Sequence, residues 1–336
     1  MKRPLRVLFY GMTHEHAGGK LDTLENMRDD YEVVAIVDDR PRGTRAFADH
    51  PLIPGDRRVV SEREAFDIRD IDVGFVETTN ADLMDVAAKF VERGIPMHCD
   101  KPCGESMEPY RTLLGRCRAA NLPFQIGYMY RGNPAIRFAW EAVADGMLGD
   151  VGFIEADMNH DYGAVGYPEY IGGFRGGILY NLGCHLVDLT LPMVKGEFLR
   201  AIPLPGDAPG DPVDAKTRCA AVLRFKGTDV MIRTSSNMPG GILCRRLRVD
   251  GSNGTLEICP IERFDGERLK LTMRLKKPWR DRPAGESEID FGVQHDRYRG
   301  QLEELAAIVR GERPNDQNYD RDLKVHELTL AACGLL

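Results

Sequence analysis

The sequence predicts two domains of different class: a doubly wound α/β domain with a parallel sheet, then an α+β domain on a largely antiparallel sheet. Three observations carry this. Over about the first 125 residues, short apolar strands without polar alternation are separated by stretches of helical periodicity, the pattern of strands buried on both faces. After Tyr130, strands dominate, with turn signals such as Gly227-Thr228 and Ser252-Asn253-Gly254 between them. The chain of 336 residues is also longer than one typical core supports. The boundary is placed to give domains 1–126 and 127–336, with the C-terminal helices free to pack back on the first domain.

The elements follow in order. Arg6 to Tyr10 reads as an apolar strand ending at Gly11, Glu32 to Val37 as a second closed by Asp38-Asp39, and Val73 to Glu77 as a third leading into Thr78-Thr79-Asn80. Ala81 to Arg93 has helical spacing, with Leu83, Val86, Ala87, Phe90 and Val91 apolar and Gly94 as the stop. Ile95 to His98 is a fourth strand, Met107 to Ala120 a helix, and Phe124 to Tyr128 a further strand. In the second domain, Pro134 to Asp145 reads as a helix. Strands are expected over 153–158, 218–225, 230–235, 246–250, 255–258 and 269–275, and helices over 296–310 and 320–333. The Pro-, Gly- and Asp-rich stretch from Pro203 to Pro212 reads as a surface loop.

Composition excludes several classes. Hydrophobic content of 43% and charged content of 29% are those of an ordinary globular protein. A net charge of −7 argues against a general nucleic-acid binder. The densest basic cluster, Arg245, Arg246 and Arg248, lies in a strand-like run and reads as a solvated face. No signal-peptide core or membrane-length apolar run is expected. The eight cysteines form no Cys-x-x-Cys pair, which points to a reduced, cytoplasmic protein.

In a doubly wound fold the first strand–helix turn receives a cofactor pyrophosphate on helix N-terminal amides. Here it reads Gly11-Met12-Thr13-His14-Glu15-His16-Ala17-Gly18-Gly19. Only the first glycine of a G-x-G-x-x-G pattern is present; Thr13 and His16 stand where the second and third belong. The Thr13 hydroxyl offers a compensating donor, while a tight turn without a ligand is the alternative. Asp38, 27 residues after Gly11, stands where an acidic residue accepts ribose hydroxyls and repels a 2′-phosphate, favouring NAD. Arg40 close by leaves NADP open. His14 and His16 make a His-x-His pair, but with no third ligand obvious nearby they are read as packing or polar contacts, and no metal is expected.

Two further segments carry chemistry. Pro96-Met97-His98-Cys99-Asp100-Lys101-Pro102 puts a lysine just beyond a buried strand. Gly176 to Asp188 puts Asn181 and His185 four apart, on one face of a helix. An ammonium, an imidazole and an amide converging on one cleft suit the proton of a substrate hydroxyl. His185 is the natural base, Lys101 the partner of a developing alkoxide, and Asp188 a support for His185. The loop from Asn159 to Tyr170 holds His160, Asp161 and three tyrosines, Tyr162 among them, which suits a polyhydroxylated ligand. A self-packed loop or a subunit contact is the alternative there.

At these residues the chain resembles the glucose–fructose oxidoreductase/inositol dehydrogenase (Gfo/Idh/MocA) family. Thr78-Thr79-Asn80 is similar to its Thr-Pro-Asn segment, and Cys99-Asp100-Lys101-Pro102 to its Glu-Lys-Pro motif. Tyr128 to Pro134 is similar to its Tyr-Arg-x-x-Pro run, Gly176 to Asp188 to its Gly-Gly…Asp-x-Gly-x-His-x-x-Asp helix, and Gly251 to Leu256 to a late turn. Two departures stand out: Asp100 replaces a glutamate, and Asn181 replaces an aspartate. An amide cannot take a proton, so Asn181 is left to orient a substrate hydroxyl.

The resemblance implies an α/β Rossmann domain followed by an α+β domain with a large, mainly antiparallel open sheet, and NAD(P)-dependent chemistry on the CH–OH group of a sugar, cyclitol or sugar acid. With it, the cofactor set is Gly11, Met12, Thr13, His14, Asp38, Arg40, Thr78, Thr79, Asn80, Asp100 and Lys101. The catalytic set is Lys101, His185 and Asn181. The substrate set is Tyr130, Arg131, His160, Tyr162, Asn181 and His185. A redox-neutral lyase or glycosidase using a tightly held, recycled NAD is the alternative; a non-catalytic sensor is disfavoured by the presence of both Lys101 and His185. A homodimer or homotetramer is expected, because the sheet face opposite Ala221, Leu223 and Phe225 would need cover. That face carries both Val222 and Arg224, so the apolar signal is mixed.

Overall fold

The computed structural model describes residues 2–40, 58–161 and 166–336. They divide into two units, Met1–Tyr128 with Tyr298–Leu323, and Met129–Arg297 with Lys324–Leu336.

The first unit holds β1 (Leu5–Tyr10), α1 (Ala17–Glu25), β2 (Tyr31–Val37), β3 (Val59–Val60), α2 (Glu62–Asp67), β4 (Val73–Val76), α3 (Leu83–Glu92), β5 (Met97–Cys99), α4 (Met107–Ala119) and β6 (Phe124–Ile126). The strands form one six-stranded sheet in the order β3-β2-β1-β4-β5-β6, parallel throughout. β4 is buried at every position, as a strand covered on both faces must be. α3 buries Leu83, Met84, Val86, Ala87 and Phe90. It lies close to the sheet because Gly74 has no side chain: a Cβ there would meet the Phe90 ring at 2.3 Å. Late in the chain, α9 (Arg299–Val309) also belongs to this unit. The Tyr31 hydroxyl donates to the Leu302 carbonyl at 2.6 Å, and Gln301 and Gln125 exchange side-chain-to-backbone bonds with the β6 region.

The strand order reverses between β1 and β4, so the turns that follow these two strands lie side by side at the carboxyl end of the sheet. Gly11 shows how close they are. Its φ is +99°, and a Cβ would sit 2.4 Å from the Thr78 nitrogen. In open α/β sheets this switch point is where nucleotides bind.

The second unit holds α5 (Pro134–Ala144), β7 (Val151–Asn159), α6 (Tyr167–Gly172), α7 (Gly177–Asn181), α8 (Gly183–Thr190), β8 (Phe198–Leu204), β9 (Arg218–Phe225), β10 (Thr228–Ser235), β11 (Arg246–Gly251), β12 (Gly254–Ile258), β13 (Arg268–Leu275) and β14 (Gly285–Val293). The last helix, α10 (Tyr319–Ala332), runs across the division between the units. Eight strands form a sheet in the order β14-β13-β12-β11-β7-β10-β9-β8, antiparallel except for β7 against β10. One face is apolar and buried, with Ile154, Ala156, Leu223, Ile232, Leu247, Val249 and Leu271 among its members. α8 packs against β7 and β10.

The opposite face is mixed, as Val222 and Arg224 indicate: Ile202, Leu204, Val222 and Met231 lie on it at the β8–β10 end, and charged pairs lie across the rest. Arg246 pairs with Glu155 at 2.9 Å, Arg233 with Asp157 at 3.0 Å, Lys270 with Glu288 at 2.8 Å and Arg268 with Asp290 at 2.6 Å. Opposite charges placed across neighbouring strands satisfy that part of the face internally. Arg245 does not share it: its side chain is buried, against Glu262 and Tyr130. On the edge strand β8, Leu199 and Leu204 are more than half exposed. Both edge strands, β8 and β14, escape the sequence reading, which also takes Pro203 onward as loop.

The segment read as one helix carrying Asn181 and His185 is two. α7 ends at Asn181 and α8 begins at Gly183, and the His185 amide donates to Leu182 at 3.1 Å, three residues back. Gly183 permits this tightening, since a Cβ there would lie 2.7 Å from a Leu179 methyl. At the start of α7, Gly177 has φ of +58° and lies against Lys216, where a Cβ would sit at 2.3 Å.

Candidate functional site

In the first unit the predicted cofactor residues form two knots. Asp39 ties the first. Its Oδ1 accepts the Met12 amide at 2.7 Å, and its Oδ2 accepts the Thr13 hydroxyl at 2.5 Å and the Thr78 hydroxyl at 2.6 Å. Asp38 is turned away, its two oxygens engaged by Arg40 at 2.8 and 2.7 Å. The Asp38-Asp39 doublet is visible in the sequence, but strand pairing decides which carboxylate reaches the turn. Thr79 faces Asp82, to which its hydroxyl donates at 2.6 Å. The Gly11 turn, closed at the switch point and bounded by carboxylates at the end of β2, fits a dinucleotide.

The second knot is buried and highly charged. Lys20, which the sequence reading leaves out, extends from α1 to Glu77 Oε1 at 2.7 Å and to Asp100 Oδ2 at 2.5 Å, with no exposed side-chain area on any of the three. His14 Nδ1 lies 3.2 Å and His16 Nδ1 3.1 Å from the same Asp100 oxygen. Asp100 Oδ1 accepts the Lys101 amide at 2.6 Å. The Lys101 carbonyl faces His14 Nε2 at 3.0 Å and accepts from Asn80 Nδ2 at 3.1 Å. The Lys101 ammonium, also buried, donates to Glu15 Oε1 at 3.3 Å.

The charge states follow from burial and partners. Burial pushes His14 down to about 3, outweighing the pull of Asp100, and lowers His16 in the same way. Burial also pushes Glu77 well above the usual carboxylate range. Against the same push, His14, Lys20 and His16 hold Asp100 well below it. With one ammonium against two buried carboxyls, the charge is favoured on Asp100 and disfavoured on Glu77. Asp100 is also the third metal-type donor that the sequence did not reveal beside His14 and His16. In this structure, however, the carboxylate oxygen shared by the two histidines carries the Lys20 ammonium.

In the second unit, Tyr130 packs edge-on against His185 with ring centroids 5.2 Å apart. The Tyr130 hydroxyl is committed to buried partners, donating to Glu262 at 2.6 Å and accepting from Arg245 at 3.0 Å. Despite the upward push of burial, Arg297, Arg245 and the Tyr130 bond keep Glu262 below its ordinary value. Arg131 makes a two-pronged pair with Asp188 at 2.7–3.1 Å. His160 stacks on Tyr167 with centroids 5.7 Å apart. Asn181 and His185 are both buried. Tyr162 lies outside the described residues. Glu262 and Arg245 carry no motif that marks them in the sequence; only the fold brings them to Tyr130.

Comparison with known proteins matches two family models in chain order. Residues 6–128 match "Oxidoreductase family, NAD-binding Rossmann fold", and residues 136–257 match "GFO/IDH/MocA C-terminal domain". The chain is 23% identical to D-apiose dehydrogenase of Paraburkholderia graminis over 186 residues, which cover 54% of this chain and 46% of that enzyme. It is 23% identical to trans-1,2-dihydrobenzene-1,2-diol dehydrogenase of Xenopus tropicalis over 231 residues, 68% of this chain and 67% of the other. The matched stretch thus spans about half the length of the first relative and two thirds of the second. Among solved structures, an inositol dehydrogenase homologue from Azotobacter vinelandii, complexed with NADH and myo-inositol, superposes with a TM-score of 0.76 at 16% identity, covering 99% of this chain and 95% of that one. With both models matched in order and the two sheets in place, the chain belongs to the Gfo/Idh/MocA oxidoreductase family, and its first unit is an NAD-binding Rossmann domain.

Proposed function

We propose that this protein is an NAD-dependent oxidoreductase acting on a CH–OH group of a sugar, cyclitol or sugar acid. The first unit would take the cofactor and the second the substrate. The observation that carries the reading is Lys101: a fully buried ammonium at the end of β5, with its amide and carbonyl both held by side chains. The names of the relatives, which act on D-apiose and a dihydrodiol, support a polyhydroxylated or vicinal diol substrate.

Gly11, Met12 and Thr13 would face the pyrophosphate, and the carboxylates after β2 the ribose. Bound NAD supplies the hydride acceptor. His185 would take the hydroxyl proton, held in orientation by Tyr130, and Lys101 would stabilise the alkoxide charge as the hydride leaves. Asn181 would orient a second hydroxyl. His160, Tyr162 and Arg131 remain proposed substrate contacts. For Arg131, the Asp188 pair makes its contribution a matter of shape as well as charge.

The test is to denature purified protein, identify any released nucleotide by mass spectrometry, and then screen aldoses, cyclitols and sugar acids for change in nicotinamide absorbance. Lys101→Ala and His185→Ala should each lower turnover by about 10²–10⁴-fold with nucleotide binding intact, and the losses should not add. Product formation without net NADH would favour the recycled-cofactor lyase. Full activity in both variants would overturn the assignment of the two residues.

A homodimer or homotetramer remains the proposed assembly, supported by the exposed Leu199 and Leu204 on edge strand β8, of which Leu204 shares the mixed sheet face with Val222. A monomer mass by light scattering at micromolar concentration would count against it. The proposed compartment is the cytoplasm, in keeping with the eight free thiols. Among the described residues no helix is long and apolar enough to cross a membrane.

A further inference from the structure

The tripeptide His14-Glu15-His16 closes the turn, with His16 standing where a dinucleotide fingerprint places its third glycine. Each of its three side chains meets a different part of one dipeptide, Asp100-Lys101. His14 Nε2 meets the Lys101 carbonyl at 3.0 Å. Glu15 Oε1 accepts from the Lys101 ammonium at 3.3 Å. His16 Nδ1 meets both oxygens of Asp100, at 3.2 and 3.1 Å, and Asp100 in turn accepts the Lys101 amide. We propose that His14-Glu15-His16 is a positioning device for Lys101, so that the nucleotide turn and the reactive lysine are held as one piece. This inference rests on the proposed role of Lys101.

The proton positions support a fixed bridge. A backbone carbonyl only accepts, so His14 Nε2 must carry its hydrogen toward Lys101. Nδ1 is then the lone-pair nitrogen; it receives the His16 amide at 3.2 Å, and the Asp100 oxygen 3.2 Å from it is held by the Lys20 ammonium. One imidazole therefore links the start of α1 to the lysine main chain. The charged and titratable groups around it are Asp100, His16, Lys101, Glu15 and Glu77, and burial keeps His14 neutral among them. It serves as a donor and acceptor of constant state, not as an acid or base.

The need for such a bridge is structural. β5 ends at Cys99, so Lys101 lies beyond the sheet ladder, and its own amide and carbonyl are satisfied by side chains. Without these side chains the carbonyl would lose His14 and the ammonium would lose Glu15. A turn built for phosphate approach has been given side chains whose partners are the lysine segment.

The experiment measures reductive methylation of Lys101 by formaldehyde and a borohydride, quantified by peptide mass spectrometry, together with NADH binding by fluorescence. His14→Leu is expected to raise the Lys101 labelling rate about 2–10-fold, the range set by one net hydrogen bond. His14→Gln keeps an N–H for the same carbonyl and is expected to stay within about twofold of the unaltered protein. Glu15→Gln, at a partly exposed position, is expected to raise labelling as well, and it carries the test if His14→Leu fails to fold. Unchanged labelling in Glu15→Gln and in folded His14→Leu, or equal damage from Leu and Gln, would overturn the inference. If labelling responds as expected but Lys101→Ala retains full turnover, the catalytic role of Lys101 falls and the positioning stands. If labelling does not respond but Lys101→Ala is inactive, the reverse holds.

Discussion

The Lys20 ammonium lies 2.5 Å from Oδ2 of Asp100, and both side chains are sealed from solvent. The same ammonium is 2.7 Å from Glu77, whose carboxyl burial pushes well above the usual carboxylate range. Removing the cation would strand a buried carboxylate, a loss typically worth about 3–5 kcal/mol. Lys20→Met is therefore expected to lower unfolding stability by about that amount, read from denaturant midpoints. Glu77→Gln keeps an acceptor for the ammonium and should stay within about 1 kcal/mol. Comparable losses from the two would show that Glu77, too, is ionised in the folded protein.

His98 provides a pH signature. Buried in β5, it faces the Gln125 carboxamide oxygen at 2.9 Å, and burial lowers it to about 3 from an ordinary 6.5. Between those values the unfolded chain binds a proton that the folded chain does not, so stability falls as pH falls from 6.5 toward 3. The slope from this one group is about 1.4 kcal/mol per pH unit. His14 adds a slope of the same sign, as does Asp100 lower down, whereas the raised Glu77 acts oppositely above its ordinary value. His98→Asn should flatten the acid limb by one proton's worth while leaving stability above pH 7 nearly pH-independent at this site. Identical acid limbs would mean that His98 is protonated in the fold.

At the nucleotide turn, Asp39 holds Met12, Thr13 and Thr78, while Asp38 is neutralised by Arg40. Asp39→Ala should weaken NADH binding by about tenfold or more, since hydrogen bonds to a charged group are worth about 1.5–3 kcal/mol. Asp38→Asn should cost less. Fluorescence titration distinguishes them, and the opposite order would return the ribose to Asp38.

Two glycines test how much the switch point depends on its tightness. Gly11 and Gly94 both have positive φ, but a Cβ on Gly11 would strike the Thr78 nitrogen at 2.4 Å, whereas one on Gly94 would meet nothing within 4 Å. Gly94→Ala should cost only the left-handed penalty, about 1–2 kcal/mol. Gly11→Ala should cost clearly more and abolish NADH binding. Thermal unfolding with nucleotide titration reads both, and a Gly11→Ala protein as stable as Gly94→Ala would contradict the packing described.

Local pattern made much of this legible. The buried strands β1, β2, β4 and β5 announce themselves as short, largely apolar runs without regular polar alternation, and α3 by its spacing. β9 and β13 alternate as half-buried strands do. The strands that escaped notice all lie at edges: β3 in the first sheet, and β8 and β14 in the second. An edge strand gains its place by pairing on one side only, and in Gly285–Val293 the alternation of Ile289, Phe291 and Val293 with acidic residues and a glycine is short and no residue is fully buried.

The sequence by itself determined the class of each unit, the placing of Lys101 just past a buried strand, and the ordered motifs that mark the family. Burial imprints a periodicity on neighbouring residues, so these features are local. The tertiary structure alone decided which carboxylate reaches the turn, that Arg131 takes Asp188, that Tyr130 is held by Glu262 and Arg245, and that Lys20 neutralises Asp100. These are choices among charged and polar partners 26 to 132 residues apart, from the Thr13–Asp39 pair to the Tyr130–Glu262 pair. Such choices leave no periodic trace, because only the folded chain sets which donor lies within 3 Å of which acceptor and which charges lose their water together.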